Sequence, residues 1–266
     1  MKTLDCYIEG IGLLGPGFND WPTGRAILST QQTYQNQKTV LPSPASLPPA
    51  ERRRCGPVVK LTLAVGHEAA AAAGLDVKDL PTVFSASSGD GNNCHEICEM
   101  LASDDRQISP TRFHNSVHNA ASGYWSIATG AMAPSSVLCA FDASFGAGLL
   151  EAITQVIVDN AGVLLIAYDT TYPEPLRSAR NIPDEFGVGL VLAPQRSARS
   201  LARISVALTA DDADRMTESA LENLRTSIPA ARGLPLLRAI AKGESTTLVI
   251  DYLDAARLSI EVESCC

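Results

Sequence analysis

Residues 119–153 read NAASGYWSIATGAMAPSSVLCAFDASFGAGLLEAI. The first part is a short apolar helix that breaks at Gly130 and turns at Ala133-Pro134. Ser136 to Phe141 then reads as a strand, and Asp142-Ala143-Ser144 turns sharply into a second helix. Such a turn exposes the side chain at its tip and aims at it the free amides and positive dipole end of the following helix, which is how enzymes present nucleophiles. Here the tip is an aspartate. The plain structural role for Asp142 is an N-cap, its carboxylate accepting an orphan amide of the first helical turn, worth ~1 kcal/mol. Alternation places Val137, Cys139 and Phe141 on one face of the strand, so Cys139 is expected as a buried, inert thiol.

A serine hydrolase is the other nucleophile option, with Ser144 attacking and His114 or His118 as base. The run Asp142-Ala143-Ser144-Phe145-Gly146 departs from G-x-S-x-G at its first glycine, which compromises the backbone approach that elbow requires.

The residues NAASG at 119–123, Ser126-Ile127, Gly130 and Pro134 resemble the stretch of β-ketoacyl synthases, the thiolase-like condensing enzymes, that leads without a gap into the nucleophilic cysteine. In that register Asp142 falls on the cysteine, so the nucleophile is absent. The resemblance extends over roughly 1–195, through an opening strand with a Gly-x-Gly turn and the glycine-containing strand Phe186 to Leu192. It implies an α/β, thiolase-like mixed sheet covered by helices, with a shortened second half at 196–266 packed on the same domain. A complete condensing enzyme carries two histidines in its second half, and this chain has none after His118. Nucleophile, oxyanion support and decarboxylation support are therefore missing together.

What the resemblance then implies is a chain-length-factor-like subunit without catalytic residues, of the kind found in bacterial aryl polyene pathways and related polyketide or fatty-acid-like biosynthesis. Such a subunit forms a heterodimer with an active ketosynthase, meets an acyl carrier protein through the complex, and shapes the acyl tunnel. Asp142 is the degenerate nucleophile position. Phe141, Cys139, Met132 and Tyr124 are candidate tunnel or interface residues, against ordinary core packing. The competing reading is an acyl-thioester hydrolase or decarboxylase acting alone, with Asp142 as acid or base or Cys139 as a displaced nucleophile. A third is a self-associating structural protein.

Working outward, 266 residues with a net charge of −8 give one large domain or a tightly joined pair, and argue against nucleic acid or anionic membrane as partner. An acidic carrier protein would need a local basic patch. Arg52-Arg53-Arg54 is the one arginine run, equally readable as a solvated loop or helix start. Seven cysteines lack a disulfide framework's spacing, no secretory signal is read at the start, and no apolar run reads as membrane-spanning, which together imply a reduced, cytoplasmic setting. Cys265-Cys266 reads as a frayed tail.

Gly10-x-Gly12-x-x-Gly15 matches a dinucleotide fingerprint in letters, but Pro16-Gly17 follows at once and no acidic residue occurs from Trp21 to Ala50. No cofactor is implied. Residues 31–57 read as a proline-rich surface loop, and 58–73 as a buried helix stopped by Gly74. On a helix over 92–102, Cys94 and Cys98 share a face as core or half-buried contacts. With His95, and with the His114/His118 pair, they raise a zinc reading, but no matched second ligand pair follows, and no metal is expected. His67 reads as a hydrogen-bonded helix residue. Strands are expected over 81–86, 163–168 and 203–208, helices over 147–160, 210–227 and 234–241, and a hairpin from 246–252 to 258–262. The loop 169–183 holds Arg177 and Arg180, with Arg196 beyond the next strand.

Overall fold

The computed structural model describes residues 3–265. In chain order its elements are β1 (Leu4–Leu14), α1 (Trp21–Leu28), α2 (Pro49–Arg54), α3 (Pro57–Ala73), β2 (Thr82–Ala86), α4 (Gly91–Ala102), α5 (Pro110–His114), α6 (Ala120–Thr129), β3 (Ser135–Leu138), α7 (Ser144–Asp159), β4 (Val163–Asp169), α8 (Leu176–Ala179), β5 (Phe186–Ala193), β6 (Ala202–Thr209), α9 (Ser219–Ser227), α10 (Leu234–Lys242), β7 (Thr246–Leu253) and β8 (Ala256–Ser264). The strands form one sheet in the order β3-β2-β4-β5-β1-β6-β8-β7. β3, β2 and β4 run parallel, and every pairing from β5 onward is antiparallel.

Helices cover both faces. α3 and α6 pack on one, while α1, α7 and α10 pack on the other. The central strands β4 and β5 are consequently buried at every residue, as their unbroken apolar runs predict for strands covered on both sides.

β1 is longer than its pattern suggests. The Gly10-x-Gly12 pair lies inside the strand rather than in a turn after it, because α3 crosses directly above. A Cβ on Gly10 would meet the Ala69 carbonyl oxygen at 2.1 Å, and one on Gly12 the Val65 carbonyl oxygen at 2.1 Å. These glycines serve close helix–sheet packing, not a phosphate. α3 ends as expected at Gly74, whose φ of 65° is left-handed.

In the last third the expected hairpin is present, and two other expectations change. The helix foreseen over 210–227 begins only at Ser219, because the preceding segment seals the sheet's outer edge. The Asp214 amide donates to the Val249 carbonyl at 2.9 Å, and its carboxylate accepts the Val249 amide at 2.8 Å, so one residue satisfies both groups of an edge-strand residue. The hairpin closes tightly between Leu253 and Ala256. Cys265 is not frayed: its amide donates to the Leu201 carbonyl at 3.0 Å, while Cys266 lies outside the described residues.

Contrary to the expectation of no spanning-length segment, residues 141–159 form a 19-residue helical stretch apolar and long enough by composition to cross a membrane. Its Leu149, Ala152, Ile153 and Val156 are fully buried in the core.

Candidate functional site

The edge strand β3 pairs with β2 from Ser135↔Thr82 to Leu138↔Ser85 and stops there. Residues Phe141–Ala143 make one 3₁₀ turn, and α7 begins at Ser144. The residue that bends the chain is Phe141, in the left-handed region with φ 53°, a conformation costing a non-glycine residue ~1 kcal/mol or more.

Ser144 closes the turn from beneath. Its hydroxyl is bonded to the Phe141 carbonyl at 2.7 Å and the Ala86 carbonyl at 2.9 Å, and accepts the Ala140 amide at 3.1 Å. The Ser85 hydroxyl donates to the Ser144 carbonyl at 2.6 Å. With 1% of its surface exposed and its hydroxyl committed to backbone, Ser144 is a staple of the elbow, not a nucleophile.

Asp142 is not the N-cap it was expected to be, since no side chain caps α7. Instead its carboxylate turns outward to two guanidiniums. Arg180 Nη2 donates to it at 2.6 Å, and Arg232 Nη2 lies 3.6 Å away. The Arg180 guanidinium also covers the Phe141 ring, 3.6 Å from its centroid, a cation–π contact. From Arg232 the ion pairs continue to Asp251 at 3.3 Å, then to Arg225, and on to Glu222 at 2.7 Å. The loop before β5, the turn before α10, β7 and α9 thus converge on the elbow.

Cys139 is also corrected. The strand ends one residue before it, so alternation does not carry to 139 and 141. The thiol is exposed and donates to the Ser87 carbonyl at 3.0 Å. Phe141 is 61% exposed.

Behind the elbow lies a group that the sequence reading missed. Asp169, the last residue of β4, is fully buried and accepts the Ser87 amide at 3.0 Å, the Ser87 hydroxyl, and the Ala230 amide at 2.7 Å. Burial pushes its carboxyl up to about 6 against those donors and the nearby Arg180. Its one sequence signal was an acid ending an otherwise apolar strand.

A groove of 580 Å³ opens beside α5 and α6, lined by Phe113, His114, Val117, Tyr124 and Ile127 among others. Tyr124 is buried and its hydroxyl donates to Asn115 Oδ1 at 3.2 Å. Phe113, Val117 and Ile127 are exposed, and Met132 beyond α6 is 94% exposed. His114 lies in this groove, and no histidine is among the hydrogen-bond partners of Ser144. His67 bonds Ser46 Oγ at 3.2 Å and stacks on Trp125. Cys94 and Cys98 are exposed rather than half-buried. Among the described residues no cluster of three or more His, Cys, Asp or Glu side chains is placed to hold a metal ion.

At its tip the elbow therefore presents a carboxylate neutralised by arginines, where acyl transfer through a thioester would need a thiolate with histidines nearby. Residues 27–251 match the family described as β-ketoacyl synthase, N-terminal domain, and the chain belongs to that family. No curated protein matches it in sequence.

Among solved structures, the ketosynthase (ApeO) in complex with its chain length factor (ApeC) from Xenorhabdus doucetiae is similar with a TM-score of 0.74 at 21% identity, over 97% of this chain and 99% of that one. The ishigamide ketosynthase/chain length factor follows with a TM-score of 0.71 at 14% identity, over 97% and 99%. A chain of the AntDE:AntF complex, a type II polyketide synthase acyl-carrier protein with its ketosynthase bound to the hexaketide, gives 0.75 at 12%, over 99% and 100%. The fold is thus the thiolase-like fold of ketosynthases.

Proposed function

We propose that the protein is a chain-length-factor-like subunit that pairs with a cysteine-bearing ketosynthase and helps to shape its acyl tunnel, without condensing activity of its own. The observation that carries this is the elbow, where Asp142, the residue that the resemblance aligns with the nucleophile, is tied to Arg180 and Arg232. Three chain-length-factor functions need no nucleophile: binding the ketosynthase, lining the tunnel, and presenting the complex to an acyl carrier protein.

The two sheet edges support the pairing. Asp214 blocks the β7 edge, whereas β3 pairs with β2 alone and is flanked in the chain by the exposed Met132 and Phe141. An open edge and an exposed apolar groove each suit a protein partner. The resemblance implies pairing through 136–141, and the solved structures similar to this chain include ketosynthase–chain length factor complexes. Met132, Tyr124, Cys139 and Phe141 are the proposed tunnel or interface residues, and 196–266 is the reduced second half. An aryl polyene or other polyketide or fatty-acid-like product and a cytoplasmic setting complete the reading.

Co-expression with each ketosynthase of the same genome, followed by size-exclusion chromatography and mass spectrometry, tests it. A stable one-to-one complex is expected. A chain that runs alone and hydrolyses or decarboxylates acyl thioesters would replace this reading with an independent enzyme.

A further inference from the structure

Helix α4 buries only Asn93. On its outer surface Cys94 and Cys98 are both exposed and free, one turn apart. Partial burial first, and then the neighbouring Cys98 thiol, hold the Cys94 thiol above its ordinary range.

Their spacing decides what the pair does. Side chains at i and i+4 of a helix have Cβ atoms about 5–6 Å apart, whereas a disulfide needs about 3.5–4.5 Å. Closing a disulfide would require α4 to unwind, and α4 is held. The Asp90 carboxylate accepts the Asn93 amide at 3.0 Å, Asn93 Nδ2 donates to the Arg112 carbonyl at 2.9 Å, and Arg112 also pairs with Glu96. A metal bridge spans more: two thiolate–metal bonds of about 2.3 Å each cross the gap without moving the backbone. Two thiolates with no third ligand suit a soft cation that accepts two-coordination, whereas zinc requires four ligands.

The geometry points to Cys94 and Cys98 as a surface site for one soft monovalent cation of the copper(I) class. Binding is a ligand exchange without redox change. Each thiol gives its proton to solvent as its sulfur–metal bond forms, leaving a two-thiolate complex of net charge −1. His95, already paired with Glu99 at 3.2 Å, lies beside it on the helix. The site is independent of any ketosynthase pairing.

The test uses the reduced full chain under anaerobic conditions, titrated with copper(I) against a chromogenic copper(I) chelator. Cys265→Ser serves as the parent, which removes the adjacent Cys265-Cys266 pair as a competing dithiol. The parent is expected to hold one copper(I) per chain, and Cys139→Ser to leave this unchanged. Cys94→Ser and Cys98→Ser, confirmed folded by circular dichroism, are expected to bind at least tenfold more weakly. The double change Cys98→Ser with Glu99→Cys keeps the thiol count but breaks the spacing, and is expected to bind as weakly. Failure of the parent to retain copper(I), or binding within twofold of the parent by the Cys94→Ser or spacing variant, overturns the assignment.

Discussion

Asp169 is out of contact with solvent, and three protein donors replace the water its charge would otherwise keep. Desolvation still wins over those donors and pushes the folded carboxyl up to about 6, above the ordinary aspartate value of about 3.9. The folded state therefore favours the protonated form. This contribution to stability is present below about pH 4 and is lost as pH rises through about 6.

Asp169→Asn removes that titration and also costs a bond. One carboxylate oxygen takes both Ser87 donors and the other takes the Ala230 amide, whereas an asparagine offers one acceptor oxygen and turns an NH₂ toward a donor. We expect the variant to lose ~1–3 kcal/mol in urea unfolding. Its deficit relative to the unmodified chain should be larger at pH 4.5 than at pH 7.5, and a deficit growing with pH would reverse the assigned sign. Asp142 differs because its side chain is 46% exposed. Its two arginine pairs are screened by water, and Asp142→Ala is expected to cost ~1 kcal/mol or less; a loss several times larger on a urea curve would mean that the elbow depends on it for folding.

At the scale of elements, the elbow is built from pieces of ordinary strength that hold one strained residue. β3 contributes only four residues. Ser144 supplies the hydroxyl that ties the turn to β2, and the φ of 53° at Phe141 persists because Arg180 covers its ring and the buried Ser144 hydroxyl holds its carbonyl. The contact of α3 with β1 is stricter still. The 2.1 Å from a Cβ on Gly12 to the Val65 carbonyl oxygen leaves no room for adjustment, because both partners are backbone. Gly12→Ala is expected to cost ~3 kcal/mol or more, read as a large fall in melting temperature or loss of soluble protein. A melting temperature unchanged by this substitution would show that α3 can lift from the sheet.

Over the whole molecule, one sheet edge is shut by Asp214 and the other ends in β3, flanked in the chain by the exposed Met132 and Phe141. A partner docking on the groove beside α5 and α6 would desolvate Phe113 and Val117, which the isolated chain leaves 68% and 53% exposed. Val117→Asp should leave the stability of the isolated chain within ~0.5 kcal/mol, as for most surface changes, yet weaken a ketosynthase complex tenfold or more by placing a charge in an apolar contact. Equal recovery of the complex with both chains on size-exclusion chromatography would move the interface elsewhere.

Much of this protein is local in origin and was legible in its residues. The unbroken apolar run of β4 and the helix 58–73 with its stop at Gly74 follow from periodicity and turn chemistry, and the resemblance of the stretch from Asn119 to Pro134 implied the fold. What needed the tertiary structure were contacts between distant segments. The alternation that buried Cys139 on paper ends because β3 stops pairing with β2 at Leu138, and Asp142 leaves the helix terminus because Arg180 and Arg232 arrive from segments 38 and 90 positions later. Gly10 and Gly12 resemble a phosphate loop until α3 is seen lying on them, and 210–218 stays non-helical because Asp214 is used on β7. Sequence pattern reports which side chains a segment can bury, whereas hydrogen bonds and ion pairs depend on which other segments the fold brings within about 3 Å.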